Sequence, residues 1–479
     1  MPERLQNYIN GEWQNVDVDA HHEVRNPATG EVIGLTPLGG ASEVDLAATA
    51  AHEAFSAWRK TPAENRVQHL FKLKSLLEDN AEELATIVTR ENGKTLSEAL
   101  GSVRRGIQMV EVACGAPSLL MGQALEDIAT GIDCESVRQP MGVFACISPF
   151  NFPAMVPMWF FPFAAACGNT FISKPSEQVP FTQKLVWELV HEAGFPPGVL
   201  NLVQGGVDTV NALCEHPLIK GISFVGSSPV AEHVYKTAAA KGKRVQALGG
   251  AKNFMLIMPD ADMDTALDAI TESAYGCAGE RCLAASIVVP VGACHDEVRN
   301  GLIERISQMK VGNGADTGTS MGPVISQGAK ERVLGYIEQG VQEGAELVVD
   351  GRGHGPDEGY FVGPTLFDNV NADMKVGHDE IFGPVLCLMP ATDLDEAISM
   401  AKQHPLANAS SIFTQSGGAA RKFRYEIDAS MAGVNIGVAA PMSFFGFGGA
   451  KGSFFGDLKA HGREAFDFYT DRKVVISRW

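Results

Sequence analysis

Short apolar runs separated by longer amphipathic stretches fill the chain after residue 138. Five such runs in its first part are typical of buried strands: 142–147, 170–174, 199–203, 221–225 and 245–248. The stretches between them are long enough for crossover helices, which predicts a parallel sheet covered on both faces. A second alternating set has runs at 255–257, 286–291, 346–350, 384–389 and 410–414. The pattern therefore predicts two consecutive doubly wound α/β units, joined near Gly249 and Gly250.

Other rhythms mark the two ends of the chain. Residues 7–14 carry an Asn-Gly pair between β-prone pieces and predict a hairpin. Apolar residues recur at helical spacing over 42–111, and Pro62 is expected to divide that region into separate helices. Residues 122–138 alternate weakly and predict a protruding β-ribbon, and the segment 470–479 is a second candidate for an intersubunit strand.

An uncharged stretch from Gln139 to Ser173 is long enough to span a bilayer. It contains five prolines, however, and prolines at that density break a lipid-exposed helix and leave backbone groups without partners. A buried strand, loop and helix is the better interpretation. The first residues show neither a secretory nor a mitochondrial targeting pattern, so a cytoplasmic protein is expected.

Composition narrows the class of protein. The chain has 479 residues, 45% hydrophobic and 20% charged, which is a globular composition with length for two or three domains. Its net charge of −19 disfavours nucleic acid and anionic membranes as partners, and an anionic substrate would need specific arginines. Nine cysteines without a CxxC pair indicate free thiols in a reducing cytosol.

Several common motifs fail on inspection. The chain has no GxGxxG fingerprint and no HExxH or metal-type CxxC spacing, so no metal is expected. Gly93-Lys94-Thr95 resembles the end of a phosphate loop, but Val88 occupies the required upstream glycine position. Residues 318–322, GTSMG, match the GxSxG pattern of serine hydrolases without the strand and helix of a nucleophile elbow, which favours a glycine-rich loop.

Cys282 is the candidate nucleophile. It ends the sequence Gly279-Glu280-Arg281-Cys282, just before a predicted strand, and an adjacent arginine lowers the pKa of a thiol. A buried core cysteine fits the local sequence equally well. The other eight cysteines are better explained as core residues.

Polar side chains also follow three of the predicted strands. Asn151 lies on a proline-flanked loop where an open α/β sheet places its ligand, and its amide could donate to an oxyanion or simply form a turn. Lys174 and Glu177 follow the next strand, where they could bind ribose hydroxyls or form a solvated turn. Gly226 and Ser227 open a helix, which suits either a pyrophosphate or an ordinary N-cap.

Six motifs, in order and spacing, resemble the aldehyde dehydrogenase superfamily over nearly the whole chain. They are SPFNFP (148–153), KPSE (174–177), FVGSS (224–228), GERC (279–282), EIFGPV (380–385) and GFGG (446–449). The resemblance implies an aldehyde dehydrogenase-like fold in three parts: an NAD-binding domain (1–121 and 139–249), a catalytic domain (250–459) and small β oligomerisation strands (122–138 and 460–479). A homodimer or homotetramer is implied with it.

The same resemblance assigns roles to individual residues. Cys282 would be the nucleophile on the aldehyde, and Asn151 together with the backbone amide of Cys282 would hold the oxyanion. Contacts to NAD are implied for Ser148, Phe150, Lys174, Glu177, Gln178, Gly226, Ser227, Gly249 and Glu380. Gln178 departs from the arginine that commonly follows the glutamate.

One departure narrows the subfamily. Members that hydrolyse their thioester use a glutamate roughly 34 residues before the nucleophile as a base. That count reaches Leu248 here, and a shift by one reaches Ala247, so water would lack a base, whereas a thiol needs less help. The segments 105–107, 249–253 and 433–449 with the following SFFGD resemble the CoA-acylating methylmalonate-semialdehyde dehydrogenases. In that group two arginines bind the substrate carboxylate, at positions matching Arg105 and Arg281.

The resemblance therefore implies an NAD-dependent, CoA-acylating oxidation of methylmalonate or malonate semialdehyde. A thioacyl intermediate on Cys282 would lose CO2, and coenzyme A would remove propionyl or acetyl. The alternatives are a hydrolytic semialdehyde dehydrogenase acting on another anion and a catalytically inactive binding protein. The presence of Cys282, Asn151, Lys174 and Glu380 disfavours the second alternative.

Overall fold

The computed structural model describes residues 2–479. Its strands, numbered in chain order, are β1 (Glu3–Arg4), β2 (Asn7–Ile9), β3 (Glu12–Gln14), β4 (His21–Arg25), β5 (Val32–Pro37), β6 (Gln123–Ala129), β7 (Ile132–Pro140), β8 (Val143–Ile147), β9 (Thr170–Lys174), β10 (Leu200–Leu202), β11 (Ile219–Val225), β12 (Arg244–Leu248), β13 (Asn253–Ile257), β14 (Ala285–Pro290), β15 (Glu346–Val349), β16 (Thr365–Asp368), β17 (Val385–Leu388), β18 (Leu406–Ala407), β19 (Ala409–Phe413), β20 (Met431–Val434), β21 (Ala450–Lys451), β22 (Phe454–Gly456) and β23 (Thr470–Arg478).

The α-helices between these strands cover the sheet faces. They are α1 (Ala41–Trp58), α2 (Ala63–Asp79), α3 (Ala81–Asn92), α4 (Leu96–Cys114), α5 (Ala116–Leu119), α6 (Met155–Met158), α7 (Phe161–Ala166), α8 (Phe181–Glu192), α9 (Val207–Glu215), α10 (Ser228–Ala239), α11 (Met263–Tyr275), α12 (His295–Ser307), α13 (Gln327–Gln342), α14 (Lys375–His378), α15 (Leu394–Gln403), α16 (Gly417–Glu426) and α17 (Gly462–Phe468). Pro62 directly precedes α2 and separates it from α1, as predicted, because proline fits a helix start and not its interior.

The first large sheet has eight strands in the order β22-β12-β11-β8-β9-β10-β2-β3. Its five central strands, β12 to β10 in that order, are parallel and correspond to the first predicted set. The predicted hairpin forms β2 and β3, which add antiparallel at one edge. The first predicted α/β unit is therefore confirmed.

The second large sheet has seven strands in the order β15-β16-β17-β14-β13-β19-β20. All are parallel except β15, which pairs antiparallel with β16 at an edge. The five predicted runs of the second set are all strands, and the short strands β16 and β20 are additional. The chain thus contains the two consecutive α/β units that the pattern predicted.

One strand crosses between these units. Residues 454–456 form β22, which pairs antiparallel with β12 and extends the first sheet. In sequence, β22 lies inside the segment 250–459 that was assigned to the catalytic domain. The second segment therefore contributes one edge strand to the first sheet.

A third sheet, β23-β7-β6, forms the predicted ribbon. It is antiparallel throughout, and β23 pairs with β7 along nine residues. Several of its apolar side chains are exposed, including Leu125 (65%), Val474 (61%) and Ile476 (66%). The ribbon is present, while its role in oligomerisation stays a prediction.

The uncharged stretch 139–173 folds as β8, a loop, the short helices α6 and α7, and β9. Nearly all of it is buried, with Phe160, Phe161 and Phe163 fully enclosed in the core around the first sheet. A buried strand, loop and helix was the prediction, and the structure confirms it. Within residues 2–479, no helix is both long and apolar enough to cross a bilayer.

Candidate active site

Cys282 lies three residues before β14, at the amino end of a central strand of the second sheet. A left-handed turn delivers it there, because Cys277, Ala278 and Gly279 all have positive φ, at 50°, 52° and 73°. Two non-glycine residues in this conformation cost about 1 kcal/mol or more each, so the surrounding contacts must fix the turn. A Cβ on Gly279 would lie 2.2 Å from the Gly383 carbonyl oxygen, so only glycine fits there.

The backbone of Cys282 is held by two amide side chains. Its carbonyl accepts hydrogen bonds from Nδ2 of Asn253 at 3.0 Å and from Nδ2 of Asn408 at 3.1 Å. Its N–H donates to no backbone carbonyl within residues 2–479 and lies close to its own thiol sulfur. The peptide is therefore fixed while its N–H stays available to an oxyanion.

Burial raises the pKa of the half-buried Cys282 thiol to about 12, and the nearby Glu380 carboxylate adds to this. The expectation that Arg281 lowers this pKa is wrong. The Arg281 guanidinium instead binds Glu98, with Nη2 3.1 Å from Oε1. Adjacency in the chain therefore did not give the thiol a stabilising positive charge, and the causes of its raised pKa do not include Arg281.

Asn151 reaches Cys282 from the other sheet. It follows β8, and its Nδ2 lies 2.9 Å from the Glu280 carbonyl oxygen and 3.9 Å from Sγ of Cys282. Its Oδ1 is buried and has no hydrogen-bond partner within residues 2–479. The structure thus brings together the predicted nucleophile and the predicted amide donor.

A cavity of about 600 Å³ opens onto Cys282. Arg105 and Arg281 both line it, so the two predicted substrate arginines share one space with the nucleophile. The Arg105 guanidinium is held by the Pro441 carbonyl at 2.9 Å. The preceding residue, Arg104, is exposed and absent from the lining, so only Arg105 of these two neighbouring arginines faces the cavity. Apolar walls complete the cavity, among them Phe152, Trp159 and Phe447.

Glu98 is a cavity residue that the sequence reasoning missed. It caps the start of α4 in a capping box with Thr95, and its Oε1 also accepts from the backbone N–H of Cys277 at 2.6 Å. Because the same oxygen binds Arg281, Glu98 joins α4, the left-handed turn and the arginine. The Thr-x-x-Glu pattern is visible in the sequence and predicts the cap, but it gives no sign of the tertiary contacts.

His461 is the second missed cavity residue. Its ring packs against Trp159 and Phe447, with centroid distances of 5.3 and 5.9 Å, and its Nδ1 has no partner in the described part of the chain. Burial, aided by the positive charge of Arg105, lowers its pKa to about 3, so the imidazole is neutral at physiological pH. No local pattern around residue 461 signals this position.

Lys174 and Glu177 form an ion pair after β9, with Nζ 3.1 Å from Oε2. Burial opposes ionisation of Glu177, but the charge of Lys174 and hydrogen bonds to the carboxylate lower its pKa overall. Ser148 is buried beside them and donates its N–H to the Lys174 carbonyl. Phe150 lies edge-on to Phe382 at 5.9 Å. Gln178 lines a separate cleft beside His21 and His22.

The remaining predicted cofactor residues surround the ends of β11 and β12. Ser227 precedes the twelve-residue helix α10 without capping it through its side chain, so the first-turn N–H groups, apart from the position of Pro229, are available to an anion. A Cβ on Gly249 would lie 2.8 Å from Oγ of Ser228, so the backbone approaches closely there. Glu380 accepts the Ala251 N–H at 2.9 Å, and burial raises its pKa to about 7.

These residues fit a dinucleotide. A free helix N-terminus suits a pyrophosphate, and a Lys–Glu pair at a strand end suits ribose hydroxyls. Glycine in place of a side chain lets a flat ligand lie against the backbone near Glu380. The donor set therefore matches NAD. It lies next to Cys282 because the carboxyl ends of the first sheet's strands face the amino ends of the second sheet's strands at this point.

Comparison with known proteins agrees with this geometry. The profile of the aldehyde dehydrogenase family matches residues 13–475. Malonate-semialdehyde dehydrogenase 2 of Geobacillus kaustophilus is 54% identical over 477 residues, covering 99% of each chain. Malonate-semialdehyde dehydrogenase of Halalkalibacterium halodurans is 51% identical over 100% of this chain and 99% of its own.

Solved structures agree as well. Methylmalonate-semialdehyde dehydrogenase of Oceanimonas doudoroffii superposes with a TM-score of 0.98 at 44% identity, covering 100% of this chain and 99% of its own. A Sinorhizobium meliloti protein, solved with NAD and named as a methylmalonate-semialdehyde dehydrogenase, gives 0.99 at 42% identity, covering 100% and 98%. The resemblance inferred from six motifs is confirmed, and this chain belongs to the aldehyde dehydrogenase family.

Proposed function

We propose that this protein carries out the NAD-dependent, CoA-acylating oxidation of malonate or methylmalonate semialdehyde. The observation that carries the proposal is the cavity in which Cys282 shares one space with Arg105 and Arg281. A guanidinium is the side chain best suited to a carboxylate, and a short 3-oxo acid spans the distance between such a group and a nucleophile. The names of the similar proteins support the same substrate class.

Cys282 acts as the nucleophile on the aldehyde carbon. The thiol gives up its proton to solvent, the thiolate sulfur forms the new bond to the aldehyde carbon, and the carbonyl oxygen becomes an oxyanion that accepts from Nδ2 of Asn151 and from the N–H of Cys282. Donors held in place before the reaction cost no reorganisation when the charge develops. When bound, NAD accepts the hydride that leaves this carbon and brings a positively charged ring that favours the thiolate. A thioester on Cys282 remains.

Arg105 and Arg281 hold the substrate carboxylate during this addition. In the thioester, that carboxylate lies on the carbon next to the thioester carbonyl, so its bond can break to give CO2 and an enolate. The same donors, Asn151 and the Cys282 N–H, stabilise the enolate oxygen, and a proton on carbon then gives an acetyl or propionyl group. The cavity thus serves both recognition and decarboxylation.

The acyl group is then transferred from Cys282 to a thiol and not to water. Position 248 carries a buried leucine at the end of β12, and the Glu380 carboxylate, which is near Cys282, is held by the Ala251 N–H. Water without a base attacks a thioester slowly, whereas a thiol is far closer to ionisation at neutral pH. Coenzyme A is therefore the acyl acceptor that this site favours.

Lys174, Glu177, Ser227, Gly249 and Glu380 would hold NAD, together with Ser148, Phe150, Gln178 and Gly226. Glu177 is ionised beside Lys174, which suits hydroxyl groups of a ribose and disfavours a 2′-phosphate. NAD is therefore preferred to NADP.

The proposed assembly is a homodimer or homotetramer in the cytoplasm. The exposed apolar side chains of β6 and β23 would be covered by a second copy of the ribbon, since an uncovered β edge is prone to pair. All nine cysteines are free, which suits a reducing compartment. Light scattering of the purified protein measures the number of copies.

One assay tests the reaction. NADH absorbance is followed with malonate semialdehyde in the presence and absence of coenzyme A. The proposal expects steady turnover with coenzyme A and a single burst, equal to the enzyme concentration, without it. Sustained turnover without coenzyme A would make the protein a hydrolytic semialdehyde dehydrogenase, and the absence of any NADH would indicate an inactive protein.

A further inference from the structure

Lys94 is a buried charge that the reaction described above does not use. It lies between α3 and α4, only 2% exposed, in the Gly93-Lys94-Thr95 sequence that resembles the end of a phosphate loop. Burial lowers the pKa of its ammonium group. A buried lysine is rare unless something in the fold requires it, because removing an ammonium from water is costly.

The contacts of Lys94 all lead to one loop. Its Nζ donates to the backbone carbonyl of Asn151 at 2.5 Å and lies 4.0 Å from the centroid of the Phe152 ring. Glu98 and Glu280 favour its charged form from a distance, and neither forms a hydrogen bond with it within residues 2–479. The ammonium is thus held by one carbonyl and one aromatic face, both belonging to the loop that carries the oxyanion donor.

A second bond joins the same two segments. Nδ2 of Asn92 donates to the Phe150 carbonyl at 3.1 Å, one residue before the carbonyl that Lys94 holds. Asn92 and Lys94 therefore bind consecutive peptide groups of this loop. We call the segment Asn92–Lys94 the clamp.

The segment 314–322, which includes the GTSMG loop, packs against the backbone of the clamp. A Cβ on Gly322 would lie 2.0 Å from the Gly93 carbonyl oxygen, and one on Gly314 would lie 2.4 Å from that of Lys94. The Leu96 N–H also donates to the Gly314 carbonyl at 3.1 Å. Two backbones in such close contact leave the clamp little freedom to move.

We propose that Lys94 is a positioning residue for the oxidation, acting through Asn151 by fixing the backbone of the oxyanion loop. This inference rests on the proposed role of the Asn151 amide. Lys94 touches neither substrate nor the sulfur of Cys282. Its loss lets Asn151 shift, and a misplacement of about 1 Å costs on the order of 100-fold in rate.

A double-mutant cycle tests this dependence. The burst of NADH is measured with propanal and NAD for the wild type, Lys94→Met, Asn151→Ala and the double variant. Lys94→Met is expected to slow the burst about 10- to 100-fold in the wild-type background. In the Asn151→Ala background it should cost less than about threefold, because the group it positions is gone. Equal losses in both backgrounds, or a wild-type burst rate for Lys94→Met, would overturn the proposal.

Two further readouts separate positioning from damage to the fold. NAD binding should stay within about twofold of wild type in Lys94→Met, and the far-UV circular dichroism spectrum should be unchanged, because neither requires an oxyanion donor. Lys94→Gln keeps an uncharged N–H donor group and should recover part of the burst rate, and Asn92→Ala should reproduce a smaller loss. If Lys94→Met does not fold, these two variants are placed in the same cycle with Asn151→Ala, and additive losses there would refute the positioning role.

The cycle also distinguishes this inference from the proposed function. Propanal needs neither Arg105 nor Arg281, so a failure to recognise the carboxylate substrate leaves the cycle intact. A wild-type protein that gives no burst with any aldehyde refutes the proposed function itself. A normal wild-type burst with additive variants refutes only the role of Lys94.

Discussion

The two large sheets contribute to the site from opposite ends of their strands. The first sheet contributes residues that follow its strands, namely Asn151 after β8, Lys174 at the end of β9 and Ser227 after β11. The second sheet contributes residues that precede its strands, namely Cys282 before β14 and Asn408 before β19. Ligands in open α/β sheets bind at the carboxyl ends of strands, and only the first sheet follows that rule. The second sheet instead supplies the reacting group.

The two ends also differ electrostatically. At the first sheet, Glu177 has a lowered pKa beside Lys174, so a full ion pair is ready for a polar ligand. At the second, burial raises the pKa of Glu380 to about 7 and that of the Cys282 thiol to about 12. The comparison shows that the first sheet offers charged groups that bind a polar ligand. The second sheet offers a desolvated thiol that reacts once its ligands are present.

Removing the Cys282 thiol should give the largest difference between the two ends of the site, because it should abolish the reaction without affecting NAD binding. Cys282→Ala should lower NADH formation by at least about 10⁴-fold, because Cys282 carries the sulfur that lies 3.9 Å from the oxyanion donor Nδ2 of Asn151. NAD binding, measured by titration, should be unchanged because its predicted contacts lie mainly at the first sheet. Turnover above one hundredth of wild type would mean that Cys282 is not the nucleophile.

The pH dependence of thiol reactivity tests the desolvated end. With a pKa of about 12, the thiolate fraction of Cys282 rises about tenfold per pH unit, so alkylation by iodoacetamide should rise about 1,000-fold between pH 7 and 10. The modified peptide is quantified by mass spectrometry in protein without ligands. N-acetylcysteine in the same buffers should level off near its ordinary pKa of about 8.5. A plateau for Cys282 below pH 9 would contradict the raised pKa.

Substrate recognition depends on residues from two parts of the chain, since Arg105 lies on α4 and Arg281 precedes β14. Arg105→Leu should lower kcat/KM for malonate semialdehyde about 10- to 150-fold, the cost of one charge-assisted hydrogen bond of about 1.5–3 kcal/mol. Propanal, which lacks the carboxylate, should be oxidised almost as well as by the parent enzyme. Arg104→Leu, one residue earlier and exposed, is the matched control. Equal losses on both aldehydes would make Arg105 structural.

The smallest expected effect concerns the charged end. Glu177→Gln should raise the ratio of NADP to NAD efficiency about tenfold, because it removes a carboxylate that repels a 2′-phosphate. Glu188→Gln changes an exposed carboxylate on α8 and should leave the ratio unchanged. An unchanged ratio in Glu177→Gln would show that residue 177 does not face the ribose.

Sequence reasoning performed differently at the two ends for a physical reason. Nine of the ten predicted strands are buried parallel strands, which are recognisable as continuous apolar runs, and residues just after them could be tested against the carboxyl-end rule. The tenth, β15, is an antiparallel edge strand that is partly exposed, and its apolar run was still recognisable. No such rule applies to Cys282, which precedes its strand. The local sequence therefore fits a nucleophile and a buried core cysteine equally well. Only the order of six motifs, a property of the whole chain, decided between them.

Contacts between distant segments could not be predicted. The interaction of Arg281 with Glu98 depends on how α4 packs against the left-handed turn, so the expected effect of Arg281 on its neighbour was wrong. His461 and Lys94 lie in loops without periodicity, and their burial follows from tertiary packing alone. Buried polar residues of this kind can be identified only from the three-dimensional structure, because no local sequence pattern indicates their contact partners.

The crossing strand β22 has a practical consequence for cutting the chain into pieces. Its three residues cover the outer edge of β12, whose own residues are mostly buried. A fragment ending near Gly250 would leave that edge unpaired, and unpaired apolar edges recruit other chains into aggregates. Expressing the first unit by itself therefore requires residues 454–456 to be grafted back, for example through a short linker after β12. A boundary drawn in sequence alone would yield an insoluble product.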